Sequence, residues 1–228
     1  MTDDVAVREQ ETDVSDSLEQ HGDELIASIR AGVRPRLYVI SGPSGVGKDT
    51  VIDRLRPLLP EYYFAVTATT RERRPGEIDG VHYFFMTVDE FHEQLDQGEL
   101  IEHAEVYGNW YGVPKAGIRN ALREGRDAIV KVDVQGAATI RKLAPEAVLI
   151  FLMPPSMADL IRRLWERKTD AKPVMMRRVH TAIRELEDVR DFDYVVFNED
   201  GQIDKTLAEI MAIIASEHLR VHQSECVL

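Results

Sequence analysis

One stretch constrains this chain more than any other. Gly42-Pro-Ser-Gly-Val-Gly-Lys-Asp-Thr50 lies between an apolar run (Leu37-Tyr-Val-Ile40) and a helical spacing of apolar residues (Val51, Ile52, Leu55, Leu58). Strand, glycine loop and helix in that order form a cradle for a phosphate group. Glycines at 42, 45 and 47 let backbone N–H groups turn inward around an anion with no Cβ atoms in the way. The helix N-terminus adds partial positive charge, and Lys48 adds a full one. One position departs from the motif. The residue after the lysine ordinarily brings a hydroxyl to Mg²⁺, but here it is Asp49, and the hydroxyl follows at Thr50.

Further apolar, strand-like runs recur at 64–66, 128–133, 148–152 and 194–197, with helical spacings at 117–123, 158–167, 175–189 and 207–218. Alternating elements behind a phosphate loop predict an α/β fold, a parallel sheet with helices on both faces. The segment 67–110 reads differently. Short aromatic pieces at 82–85, 106–107 and 110–111 are separated by Pro75-Gly76, Asp79-Gly80 and Gly108-Asn109. These predict antiparallel strands in a small insertion.

At 228 residues the chain suits one or two domains. Its net charge of −12 is uneven: residues 1–24 hold nine acids against Arg8 alone, a net of −8, which leaves −4 for the rest. A body without basic excess argues against a nucleic-acid partner. There is no apolar run of bilayer length and no signal-peptide pattern, and the single cysteine, Cys226, allows no internal disulfide. These features predict a cytoplasmic protein with no membrane partner. The first fourteen residues read as disordered. A helix is expected within 15–31 from Leu18, Leu25, Ile26 and Ile29, ending before Gly32 and Pro35. A solvated extension is the plainer reading of that segment; docking on the body or on a partner is the other.

Thr69-Thr-Arg-Glu-Arg-Arg-Pro-Gly76 sets three arginines within four residues at a turn. Like charges this close need an answer, either an anion or acids such as Glu72 and Glu77. Tyr83 and Tyr111 are placed to complete a phosphate cradle. Two weaker signals have plain alternatives. His92-Glu-Gln-Leu-Asp96 lacks the second histidine of a zinc-protease helix. His218, His222 and Cys226 recur every four residues, a metal-facing spacing on a continuous helix, but a frayed helix end without a ligand is the simpler account.

Taken in order, the motifs resemble one family. They are the phosphate loop; Thr69 to Tyr83 as Thr-Thr-Arg-x-x-Arg-x-Gly-Glu-x-x-Gly-x-x-Tyr; Leu-Ile-Glu-His-Ala-Glu from Leu100; Asn109-Trp-Tyr-Gly112; Val132-Asp-Val-Gln-Gly136; and Pro154-Pro-Ser156 before an arginine-bearing helix. The chain resembles guanylate kinases from about residue 36 to about 215. The resemblance implies a P-loop nucleoside monophosphate kinase fold: a five-stranded parallel core at 36–66, 117–157 and 182–228, a mixed β-rich GMP-binding insertion at 67–116, and a helical lid at 158–181. Residues 1–35 form an acidic extension. It implies ATP and GMP as substrates with Mg²⁺, and dGMP as a further acceptor, in a monomer or homodimer.

By motif matching, Gly42, Pro43, Ser44, Gly45, Val46, Gly47, Lys48, Asp49, Thr50 and Arg163 would bind ATP. Arg71, Arg74, Tyr83 and Tyr111 would hold the GMP phosphate, while Glu102 and Asp133, with Thr67 and Val113, would face guanine. Lys48, Arg74, Arg167 and Arg178 would serve the transfer itself, and Asp49 and Thr50 would lie nearest Mg²⁺. The GMP phosphate is already largely ionised at neutral pH, so catalysis reduces to positioning and charge neutralisation. Three positions depart from the family pattern: Val113 where Ser or Thr is common, Lys131 where aspartate begins Asp-x-Asp, and Pro173, which is expected to interrupt the lid. The alternatives are a guanylate-kinase-like protein-binding module without catalysis and a kinase for another phosphorylated acceptor.

Overall fold

The structure, a computed structural model, describes residues 18–30, 32, 34–106, 108–166, 172–222 and 224–228. The expected disorder of the first fourteen residues and the site residue Arg167 lie outside them. Five strands, β1 (Leu37–Ser41), β2 (Tyr63–Phe64), β7 (Ala128–Lys131), β8 (Val148–Met153) and β9 (Tyr194–Phe197), form an all-parallel sheet ordered β2-β7-β1-β8-β9. β1 is central and buried along its whole length, which is why it reads as continuous apolar sequence rather than an alternation. Leu37 and Val39 face one side with Val130, Leu149 and the helices α4 (Lys115–Arg123) and α5 (Val134–Leu143). Tyr38 and Ile40 face the other side with α2 (Lys48–Leu55) and α8 (Ile203–His218).

A second sheet is ordered β4 (Phe84–Phe85), β3 (Ala68–Thr69), β6 (Asn109–Pro114) and β5 (Leu100–Val106). β5 and β6 form the expected antiparallel hairpin, with Ala104 opposite Tyr111. β3 and β4, however, pair in parallel, which corrects the antiparallel expectation. The fourteen residues between them, carrying the arginine cluster and the left-handed turns at Gly76 and Gly80, are long enough for a crossover. This sheet packs on α3 (Val88–Asp96), which buries Phe91 with Ala68 and Leu100. Thr87 and Glu90 close a reciprocal cap at the start of α3.

Boundaries moved where side chains cap. β7 stops at Lys131, because Asp133 turns to cap α5, its Oδ1 accepting from the Gly136 N–H at 2.7 Å. Pro173 does not interrupt a helix. It falls in the first turn of α7 (Lys172–Glu187), which follows α6 (Met157–Glu166), and in a first turn no N–H is missed. The histidine–cysteine spacing at the C-terminus is also overturned. α8 ends at His218, and Cys226 returns to the core beside Val39 and Leu149, where Arg119 Nε donates to the Leu228 carbonyl at 2.8 Å. Residues 18–30 are helical, as α1, with Leu18, Leu25, Ile26 and Ile29 exposed. No helix among the described residues is long and apolar enough to cross a membrane.

Candidate active site

The phosphate loop leaves the carboxyl end of β1, the edge where parallel sheets carry their ligands. Gly42 has φ 139°, and a Cβ there would stand 2.4 Å from the Leu152 carbonyl oxygen. No other residue fits between these strands. Lys48 Nζ donates to the carbonyls of Gly42 at 2.5 Å and Pro43 at 3.3 Å. Burial lowers the Lys48 pKa below the ordinary lysine value, opposed by the charges of Glu185, Asp133 and Asp49. An ammonium held this way gains strongly from an incoming anion.

The helices after β8 hold the loop from outside. Arg163 of α6 donates to the Val46 carbonyl at 3.1 Å and the Asn198 carbonyl at 2.7 Å, and pairs with Asp200 at 2.7 Å. Asn198 Nδ2 donates to the same Val46 carbonyl at 2.8 Å. From α7, Arg178 Nη2 donates to Ser44 Oγ at 3.1 Å, and the Glu185 carboxylate accepts from the Ser44 N–H at 3.1 Å. A loop amide thus already points at an anionic oxygen. Burial raises the Glu185 pKa.

Across the cleft the second sheet gathers the other polar groups. The Arg71 guanidinium pairs with Glu77 at 2.8 Å and lies 5.5 Å from the centre of the Tyr83 ring, and that ring packs edge-on against Tyr111 at 6.2 Å. Glu77 also accepts from the Arg74 backbone N–H at 2.7 Å, so one carboxylate ties the Arg71 side chain to the backbone at Arg74. The hydrogen bond from Arg71, with that from Arg74, holds the Glu77 pKa below the usual carboxylate value. A cleft of about 460 Å³ is lined here by Asp49, Thr67, Tyr83, Val113 and Lys131, among others. Thr50 is exposed on the first turn of α2. Asp49, beside it, is ion-paired with Lys131.

Glu102 of β5, half-buried, lies beside the exposed Asp133 and beside Gly136. Burial first, then the neighbouring Asp133 carboxylate, push the Glu102 pKa up to about 8. A Cβ on Gly136 would come within 1.9 Å of Glu102 Oε2, so the glycine makes the space this carboxylate occupies. Glu185, Asn198 and the spacing role of Gly136 were not found from sequence. Only Gly136 had a signal there, as the last residue of Val132-Asp-Val-Gln-Gly136.

Comparison with known proteins shows the family. The family model described as guanylate kinase matches residues 34–217. The chain is 42% identical over 185 residues to a guanylate kinase of Desulfitobacterium hafniense, covering 81% of this chain and 92% of that protein. It is 45% identical over 181 residues to one of Corynebacterium efficiens, covering 78% and 94% respectively. A crystal structure of guanylate kinase from Anaplasma phagocytophilum superposes with a TM-score of 0.62 at 31% identity, covering 82% of this chain and 88% of that one. With its parallel core, its glycine loop and this breadth of similarity, the chain belongs to the guanylate kinase family.

Proposed function

We propose that the phosphoryl transfer this chain carries out, from ATP to GMP, is divided among three groups of residues. The core segments 36–66, 117–157 and 182–228 bind ATP through Gly42, Pro43, Ser44, Gly45, Val46, Gly47 and Lys48. The insertion, 67–116, takes GMP. Arg71, Arg74, Tyr83 and Tyr111 hold its phosphate, and Glu102 accepts from guanine N1–H and N2–H, with Asp133, Thr67 and Val113 around the base. Segment 158–181 is a lid whose Arg163 and Arg167, with Arg178, close over the transferring group and exclude water. dGMP fits the same pocket. The observation that carries this reading is the placement of Lys48 and Glu102, near enough that the Lys48 charge favours ionisation of Glu102. On this reading a phosphate cradle and a carboxylate pair, Glu102 half-buried and Asp133 exposed, serve the two substrates of one reaction. We place the enzyme in the cytoplasm as a monomer or homodimer.

Among the described residues, no cluster of three or more His, Cys, Asp or Glu could hold a metal. Mg²⁺ in kinases, however, takes one or two protein oxygens and fills its octahedron with phosphates and water. The Asp49 carboxylate and Thr50 hydroxyl at the head of α2 are hard oxygen donors that fit this mode. Bound with ATP, Mg²⁺ neutralises phosphate charge. The protein's own contribution is to fix the loop and the two arginine groups.

A coupled assay of ADP formation tests the reading. GMP and dGMP should be turned over, and AMP, UMP and CMP at rates lower by roughly a hundredfold or more, because the carboxylate then loses its paired donors. Equal rates with AMP and GMP would overturn it.

Glu102 also predicts a proton effect. In the free protein its pKa of about 8 exceeds the ordinary 4.5. Between those values the folded state keeps a proton that the unfolded chain has released, so this group lowers stability progressively as pH rises through that window. Guanine offers two donors, so the complex requires the ionised form. GMP binding near pH 7 should therefore release about one proton, and affinity should rise with pH towards 8. Calorimetry in buffers of different ionisation enthalpy measures this. Identical proton release by wild type and Glu102→Gln would place the titration elsewhere.

A further inference from the structure

Two departures, Asp49 from the phosphate-loop motif and Lys131 from the family pattern, meet in space. Lys131 ends β7 directly beside β1, in register with Ile40 just before the phosphate loop. Its ammonium is ion-paired with Asp49, 82 positions away in sequence. The pair is not buried: the Lys131 side chain is 38% exposed and that of Asp49 65%. Exposed pairs of this kind add at most about 1 kcal/mol to stability, so stability is a poor reason for a lysine at the ligand-bearing edge of a parallel sheet. Both residues line the cleft that also holds Thr67, Tyr83 and Val113. A cation placed there faces the incoming acceptor.

We propose that Lys131 is a further phosphate-binding residue of this enzyme, held by Asp49 in the free protein and transferred to the phosphate of the acceptor nucleotide when that enters the cleft. This rests on the reading of the cleft as the GMP site. The exchange conserves charge pairing: a carboxylate oxygen leaves the ammonium and a phosphate oxygen replaces it. Phosphate carries nearly two negative charges at neutral pH and several acceptor oxygens, so it outcompetes one exposed carboxylate. The electrostatic neighbourhood agrees. The Lys131 charge is felt at both Lys48 and Glu102, so the ammonium lies within electrostatic reach of the phosphate loop and of the carboxylate pair. In this arrangement Asp49 is a competitor for the same ammonium, and that gives the two residues opposite effects on binding.

The test is calorimetric binding of GMP and guanosine to the full-length protein, in EDTA and without ATP. Lys131→Met should weaken GMP binding by roughly tenfold or more, the loss of one charge-assisted contact, and weaken guanosine binding far less, only through the Glu102 ionisation that the Lys131 charge favours. Asp49→Asn should tighten GMP binding by a few-fold, because the competing carboxylate is gone. The double variant should match Lys131→Met, and Lys131→Arg should stay near wild type. If the pair were only structural, Lys131→Met and Asp49→Asn would shift the melting temperature alike and leave GMP affinity alone, which overturns the proposal. Equal losses of GMP and guanosine binding would also overturn it. Should Lys131→Met not fold, Lys131→Gln carries the same comparison. A wild type that binds neither GMP nor guanosine would sink the GMP reading of the cleft itself, a different result from wild-type binding that Lys131 does not affect.

Discussion

Lys48→Met should lower kcat/KM by about a thousandfold while the protein remains folded. The ammonium sits between the Gly42 and Pro43 carbonyls at the mouth of the glycine loop, where charge builds on the phosphates during transfer. A single preorganised donor at such a point is worth roughly 10²–10³ in rate, and a full charge in a buried site lies at the upper end. The fold should survive because burial already opposes this charge, as its lowered pKa records. An apolar side chain of similar length removes that penalty and forgoes the hydrogen bonds to the Gly42 and Pro43 carbonyls and the attraction of Glu185, Asp133 and Asp49. Circular dichroism and thermal melting would establish the fold, and the coupled assay the rate. Activity within tenfold of wild type would remove Lys48 from the transfer step.

The second large effect concerns the base. Glu102→Gln should lose about 2–3 kcal/mol of transition-state stabilisation with GMP, roughly a hundredfold in kcat/KM, since an amide cannot accept from both guanine donors. Gly136→Ala should reproduce that loss without touching the carboxyl group. Its methyl would stand 1.9 Å from Glu102 Oε2 and 2.9 Å from the Val132 Cβ. The carboxylate must then move by more than an ångström from its place beside Asp133. Alanine itself favours the helix over glycine by about 1 kcal/mol, so α5 should form as before. Kinetics with GMP, AMP and varied ATP would separate the cases. Both variants should keep the KM for ATP and lose selectivity for GMP over AMP. Wild-type kinetics in Gly136→Ala would mean that Glu102 does not work from the position seen here.

These two predictions differ in how they could have been reached. Lys48 was legible at once, because everything that makes its site lies within nine consecutive residues and the strand and helix beside them. Glycine freedom, helix polarity and lysine charge are local properties, and local properties are written in contiguous sequence. The buried strands at 37–40 and 148–152 were legible for the same reason, since a strand covered on both faces leaves an unbroken apolar run. Glu102, Arg71 and Tyr83 could be named through motif order, but the motifs carry no information on how close the groups come.

What only the tertiary structure decided is a set of meetings between distant residues. Glu185 reaches the Ser44 amide across 141 positions. Lys131 reaches Asp49 across 82, and Gly136 opens the space for Glu102. β3 and β4 run parallel because fourteen residues bring the chain back in the same direction. The metal-like spacing of His218, His222 and Cys226 dissolved because α8 stops at His218 and Cys226 is buried in the core while Leu219 and Val221 before it are exposed. Each such meeting is worth only about a kilocalorie per mole or a few, too little to mark composition or periodicity. They arise because a sheet built from locally specified strands brings the carboxyl ends of β1, β7 and β8 to one edge, and whatever side chains those ends carry must then meet.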